Sequence, residues 1–165
     1  MSLEVFIGLG SNLGDRVGNL QLGISRMGEL GQILRISSIY ETQPWGKEDQ
    51  PDFLNVVCSL DPVLRDPELF FRELKRIEKE AGRRSQERWE PRELDLDLLF
   101  WGDEVMVSES LSLPHPHLAN RRFVLTPLCQ IAPDLKHPLT GLTVRQMLES
   151  CSDPKRVERW GDIHI

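Results

Sequence analysis

The apolar positions along the chain change period several times, and each change marks an element. From Leu3 to Leu9 (Leu-Glu-Val-Phe-Ile-Gly-Leu) a short apolar run predicts a strand. Gly10-Ser11-Asn12-Leu13-Gly14-Asp15-Arg16 then supplies turn and N-cap residues. Val17, Leu20, Ile24 and Met27 follow at three- and four-residue spacing, the stripe of an amphipathic helix. Ile33 to Thr42 predicts a second strand, Gln43 to Asp52 a loop holding Pro44, Trp45, Gly46 and Pro51, and Phe53 to Leu60 a third strand. Asp66-Pro67 has the form of an N-cap with proline in the first turn. It opens a second helix whose stripe is Leu69, Phe70, Leu74, Ile77 and Ala81, with Gly82 at its end. Lys75, Glu78 and Lys79 fall off that stripe, which predicts a solvated charged face.

In the next strand, Leu94 to Trp101, the alternation carries chemistry. Leu94, Leu96 and Leu98 alternate with Asp95 and Asp97, so the two aspartates share one face, with Cα atoms roughly 6.5–7 Å apart. Carboxylates held this way repel each other unless a cation sits between them, and hard oxygen ligands suit Mg²⁺. Upstream, Arg83, Arg84, Arg88 and Arg92 share a segment with Trp89 and Pro91. Guanidinium forks match phosphate oxygens and an indole offers a stacking face, so the fourteen residues from Arg88 to Trp101 point to polyphosphate chemistry.

Gly102-Asp103 predicts a turn into a hairpin partner around Glu104 to Val107. Helices follow around Phe123 to Ile131 and Val144 to Glu149, and then a polar tail. The order strand–helix–strand–strand–helix–strand is the βαββαβ pattern of a ferredoxin-like α+β sandwich, with an antiparallel sheet and extra C-terminal helices. Helices would cover one face and leave the other free for a site facing Asp95, Asp97, Asn55 and the Trp45 loop. With no repeat, linker or low-complexity tract, residues 1–165 read as a single domain.

Charge and cysteine content narrow the classes. A net charge of −6 disfavours broad nucleic-acid binding, so a polyphosphate would be met by the local arginines. Three widely spaced cysteines, without a C-x-x-C pair, fit neither a disulfide framework nor a zinc site. No signal peptide or membrane span is evident, and a cytoplasmic protein is expected. The glycine-rich turn after the first strand lacks a Walker ending and is not G-x-G-x-x-G, so it reads as a structural turn.

Arg88-Trp89-x-Pro91-Arg92-x-x-Asp95-x-Asp97 followed by Leu-Leu resembles the signature of 6-hydroxymethyl-7,8-dihydropterin pyrophosphokinases. The resemblance extends to Gly10-Ser11-Asn12-Leu13, to Asp49-Gln50-Pro51-Asp52-Phe53-Leu54-Asn55, and to Pro114-His115 with Asn120-Arg121-x-Phe123. It implies transfer of the terminal diphosphate of ATP to the pterin hydroxymethyl group, with release of AMP, by a monomer of the ferredoxin-like fold. It further implies that Asp95 and Asp97 hold two Mg²⁺ ions. Arg92 and Arg83 or Arg84 would act on the phosphates, and Glu78, Arg88, Trp89, Leu98, Ser112, His115 and Arg121 would complete the ATP site, Leu98 packing on the adenine. Asn55 would read the polar edge of the pterin and Phe123 stack on its ring, with Phe53 alongside and Thr42, Gln43 and Trp45 contributing.

The chain departs from the family pattern at Glu90, in a place usually held by a small residue, at Lys75, where glutamine is common, and at Ser110, where a basic residue can occur. No side chain stands out as a general base for the hydroxymethyl proton. Two other classes stay open on the residues alone. One is a Mg²⁺-dependent nucleotidyl transferase or phosphohydrolase, distinguished by its products; the other is a ligand-binding module without turnover.

Overall fold

In the computed structural model, residues 3–43, 51–82 and 93–164 are described. Strand β1 (Val5–Ser11) lies at the centre of the main sheet, antiparallel to β4 (Phe53–Pro62) on one side and to β5 (Asp95–Trp101) on the other. Two strands share the far side of β4. β2 (Gly31–Ile36) pairs with its C-terminal half and β3 (Ile39–Thr42) with its start. The stretch expected as one strand from Ile33 to Thr42 is thus broken at Ser37-Ser38. There Ser37 donates its backbone N–H to Val57 O, while its Oγ accepts the Val57 N–H at 2.9 Å, so a side chain replaces one rung of the ladder. The sheet runs β5–β1–β4–β3 and ends in β8 (Val157–Gly161), all neighbours antiparallel. That last strand occupies the tail expected to be merely polar.

Alternation along the strands divides the interior in two. Val5, Ile7 and Leu9 of β1, Leu54, Val56, Cys58 and Leu60 of β4, and Leu94, Leu96 and Leu98 pack against helices α1 (Arg16–Leu30) and α2 (Pro67–Glu80). The helix boundaries follow local chemistry. Asp15 caps α1 through the Gly18 N–H, and Asp66 caps α2 through the Glu68 and Leu69 N–H groups. Gly82, at φ +95°, takes the left-handed turn after α2 that a side chain would resist.

The opposite face is not free, as the sequence pattern suggested. Phe6, Val57, Leu99 and Phe100 build a second core with helices α3 (Arg122–Ile131) and α4 (Val144–Glu149). These helices follow the βαββαβ unit and carry their own apolar stripes (Val124, Leu125, Leu128; Val144, Met147), which had to be buried somewhere. The site is therefore confined to the part of this face they leave open. The short strands β6 (Met106–Val107) and β7 (Ser112–Leu113) pair with each other, so β6 is the hairpin partner of β7 and not of β5. Among the described residues no helix is long and apolar enough to cross a membrane.

Candidate active site

Between the open end of β4 and β5, the exposed face of β1 carries no side chains. Gly8 lies opposite Asp97 and Val57; Gly10 lies opposite Asp95 on one side and Asn55 on the other. A trough results, floored by glycine, with the aspartates on one bank and Asn55 and Phe53 on the other. Two strand spacings separate the banks, about 10 Å. A Cβ on Gly10 would come within 2.9 Å of Asn55 Oδ1 and 3.4 Å of Phe53 Cδ1, so this position is kept bare by its neighbours.

The acidic bank has an electrostatic cost. Burial, and then the charge of Asp95, push the Asp97 carboxyl up to about 7, partly opposed by Lys75 and Arg121. A bulge brings His115 to the same place. Ile7 pairs with Leu98 and Phe6 with Phe100, so Leu99 is the extra residue in β5, and its carbonyl accepts the His115 N–H at 2.9 Å. His115 Nε2 then stands 3.9 Å from Asp97 Oδ1. Its Nδ1 accepts the His117 N–H at 3.2 Å, which puts the proton of the neutral ring on Nε2, facing the aspartate. Burial, then the positive charge of Arg121, lower the His115 pKa to about 4, so the ring is neutral at pH 7. It can donate a hydrogen bond to an anion without adding charge.

The other bank holds an unmet donor. Asn55 is 6% exposed, and its Nδ2 has no hydrogen-bond partner among the described residues. A buried amide N–H without an acceptor costs about 1–3 kcal/mol, a cost that an acceptor on a bound ligand would remove. Phe53 is half-buried on the same face. Phe123 is partly buried at the start of α3, with the Arg121 guanidinium 5.8 Å from its ring centroid. Thr42 and Gln43 lie at the end of β3, where they share a cavity with Glu41, Asp52, Arg156 and Glu158.

Two expected contacts are placed differently. Glu78 is not on a solvated face: it is 1% exposed, accepts the Leu96 N–H at 2.6 Å and pairs with Lys75 Nζ at 3.2 Å. Its carboxylate fastens α2 to the outer edge of β5, because an edge strand leaves N–H groups that need acceptors. Leu98 is 1% exposed in the helix-side core, turned away from the aspartates, so its side chain does not line the site. Its backbone lies on the open edge, two residues on from Leu96, whose carbonyl accepts from Lys75 Nζ at 3.3 Å. Ser112 is half-buried in β7. Arg83, Arg84, Arg88, Trp89 and Arg92, with Trp45 and Glu90, lie outside the described residues.

The structure adds supports that the sequence reading left without a role. Asn12, in the turn after β1, donates to Pro51 O at 3.1 Å. Arg16 donates to Asp52 O at 3.0 Å and pairs with Glu41 at 3.1 Å, gripping the segments on both sides of residues 44–50. The Gly-Ser-Asn turn is thus tied to the segment that leads into β4. Lys75 is a second unassigned participant, a cation held at the β5 edge and felt by Asp97. Its i, i+3 spacing from Glu78 was the available signal.

The family model for 7,8-dihydro-6-hydroxymethylpterin-pyrophosphokinase (HPPK) matches residues 6–133. A 2-amino-4-hydroxy-6-hydroxymethyldihydropteridine pyrophosphokinase of Aquifex aeolicus is 42% identical over 135 residues, covering 82% of this chain and 84% of that one. The protein of the same name from Haemophilus influenzae is 36% identical over 158 residues, 94% and 98% of the two chains. The folic acid synthesis protein fol1 of Pneumocystis carinii is 43% identical over 150 residues, covering 90% of this chain and 20% of that longer protein. In fold, the chain is similar to wild-type Plasmodium falciparum HPPK-DHPS solved with pteroate. The TM-score is 0.75 at 16% identity, over 90% of this chain and 44% of that one.

Proposed function

The chain belongs to the 7,8-dihydro-6-hydroxymethylpterin-pyrophosphokinase family, and from that premise we propose that it transfers the terminal diphosphate of ATP to the hydroxymethyl group of 6-hydroxymethyl-7,8-dihydropterin, releasing AMP. The observation that carries this reading is one row across the sheet, Asn55–Gly10–Asp95, with an unmet amide donor at one end and a carboxylate at the other. The roughly 10 Å between its ends suits a flat two-ring heterocycle whose one-carbon arm points at the aspartates.

Asp95 and Asp97 are the residues that would hold Mg²⁺. They offer only oxygen donors, and the upward shift of Asp97 marks a pair in need of positive charge. Mg²⁺ takes one or two carboxylates and fills its shell with water and phosphate, so two aspartates are enough protein ligands for it. When bound, such ions neutralise phosphate charge; two of them is the count we infer. His115 donates its Nε2–H to a phosphate oxygen. Arg121, with Arg83, Arg84, Arg88 and Arg92, binds the remaining phosphate oxygens, and Trp89 closes that side. The adenine lies along the β5 edge by the backbone of Leu98 and Ser112. Asn55 reads the pterin edge, Phe53 and Phe123 flank its ring, and Thr42, Gln43 and Trp45 complete the pocket. Positioning and charge neutralisation are most of what phosphoryl-type transfer asks of a protein.

The architecture we assign is ferredoxin-like. The order β5–β1–β4 followed by β2 and β3 is that of a βαββαβ unit whose second strand is split in two. We read residues 1–165 as one domain and a cytoplasmic monomer acting on small molecules, without a nucleic-acid partner. The test is a product assay with ATP, Mg²⁺ and the reduced hydroxymethylpterin. Equal amounts of AMP and pterin diphosphate are expected. ADP or free diphosphate beside unmodified pterin would replace this reading with a phosphohydrolase, and binding without turnover would leave a binding module.

A further inference from the structure

The family match ends at residue 133, yet the chain beyond it returns to the site at two places. Helix α3 starts after Arg121, whose side chain makes no cap bond. Asp153, 5% exposed, does so instead: its Oδ2 accepts the Arg122 backbone N–H at 3.0 Å, setting a carboxylate at the positive end of the helix. The Arg122 side chain closes the clasp from the other direction. Its Nε donates to Asp153 O at 3.1 Å and its Nη2 to Cys151 O at 2.9 Å. Asp153 Oδ1 also accepts the Lys155 N–H at 3.0 Å, fixing the turn that leads into β8.

β8 then pairs with β3, Val157 opposite Thr42 and Arg159 opposite Tyr40. Thr42 Oγ1 donates to Arg156 O at 3.2 Å, and Arg156 and Glu158 wall the cavity that Thr42 and Gln43 also line. Little apolar surface is involved, for β8 is largely exposed and its ties are polar. Ser38 Oγ donates to Asp162 at 2.6 Å, and Arg159 pairs with Asp162 at 2.8 Å. A segment that buries so little adds little hydrophobic stability. It does hold Arg121 and Phe123 at one end and Thr42 and Gln43 at the other.

We propose that residues 151–161 form a strap that positions the pterin side of the site, with Asp153 as the positioning residue that fixes the start of α3. The inference rests on the pterin reading of Phe123, Thr42 and Gln43 given above. Asp153 touches no substrate; it acts through Arg122 on the neighbours of that residue.

The experiment measures dissociation constants for the reduced hydroxymethylpterin and for MgATP separately, beside kcat and the thermal midpoint. Asp153→Ala should weaken pterin binding about fivefold, the factor expected if the roughly 1 kcal/mol that a helix cap contributes must be recovered when the site is ordered by the ligand. MgATP binding should change less, because most of its assigned arginines lie in residues 83–92. Asp153→Asn keeps an acceptor for the Arg122 N–H but turns its NH2 toward the Lys155 N–H, and should bind pterin between wild type and Asp153→Ala. Arg122→Gln opens the clasp from the other side and should repeat the pterin defect, which tests the strap even if Asp153→Ala folds poorly. Arg145→Ala, which removes an exposed ion pair with Asp134, should leave both constants unchanged. A lowered thermal midpoint with wild-type pterin affinity in Asp153→Ala and Arg122→Gln would overturn the strap and leave the activity standing. A wild-type chain that neither binds nor converts the pterin would overturn both.

Discussion

The two faces of strand β5 stand one residue apart and obey opposite rules. Leu94, Leu96 and Leu98 are at most 1% exposed and face a core shared with α1 and α2. Asp95 and Asp97, between them, face a glycine-floored trough that includes an unmet amide and a carboxyl pushed up to about 7. On the first face the side chains are apolar and are buried by the protein itself. On the second, the groups are complementary to something else: carboxylate oxygens to a cation, an amide N–H to an acceptor, a neutral histidine N–H to an anion. The stability of one face is what lets the other be held in an unfavourable arrangement on a rigid strand.

Neighbouring substitutions should separate the faces most sharply. Asp97→Ala is expected to lower AMP formation by roughly 10²- to 10³-fold, as for loss of a principal charge-stabilising group, while leaving the urea midpoint of the ligand-free protein unchanged or higher. Leu96→Ala should do the reverse, costing about 2–5 kcal/mol of stability with kcat per folded molecule much less affected. Denaturation curves beside product assays check both. An Asp97→Ala variant with a near-wild-type rate would remove the aspartates from the reaction.

The stable face was legible in the sequence because its signals are local and redundant. The Asp66-Pro67 cap, the stripe of α2 and the alternation of β5 each indicate one element without reference to the rest. The active face was legible only as a set of residue types. That Gly10 stands between Asn55 and Asp95 depends on strand order, and that His115 reaches Asp97 depends on a bulge that no local pattern marks. Glu78 misled for a related reason. Its place on the helical wheel predicts solvent, but the edge of β5 passes over it and needs an acceptor. The strand β8 was missed because Val157–Gly161 has one aliphatic residue and lives by pairing with β3, a non-local contact.

Glu78 therefore tests where the boundary between the faces runs. Glu78→Ala strands the buried Leu96 N–H, and a loss of about 1–3 kcal/mol in urea denaturation is expected. Glu78→Gln keeps a carbonyl oxygen for that N–H and should recover most of it. If Glu78→Gln instead weakens ATP binding at unchanged stability, the residue belongs to the nucleotide site.

The acidic bank also predicts a pH dependence. The folded, ligand-free state holds the Asp97 proton more tightly than the unfolded chain does, since its pKa is raised from 3.8 to about 7. The stabilisation this gives is fully present below about pH 4 and is lost as pH rises through 7. Cation binding runs the other way, because the ligand must be ionised. Apparent Mg²⁺ affinity should climb about tenfold per pH unit below 7 and level off above it, with proton uptake by buffer measured calorimetrically at pH 6 and absent at pH 9. An affinity flat from pH 5 to 9 would mean that Asp97 is not the titrating ligand.

The smallest effect probes the bare floor of the trough. A Cβ at Gly10 meets Asn55 Oδ1 at 2.9 Å and the Phe53 ring at 3.4 Å, so one of them must shift. The backbone of β1 at this point is ordinary strand, paired on both sides, and the methyl group enters the trough, not the helix-side core. Gly10→Ala should thus leave the fold and MgATP binding near wild type while weakening pterin binding severalfold, about what misplacing one hydrogen bond costs. Asn55→Ala should weaken it further, and combining it with Gly10→Ala should add little, since the methyl group then has no amide to displace. If the two effects add in full, Gly10 and Asn55 act on the ligand separately and the trough is not one site.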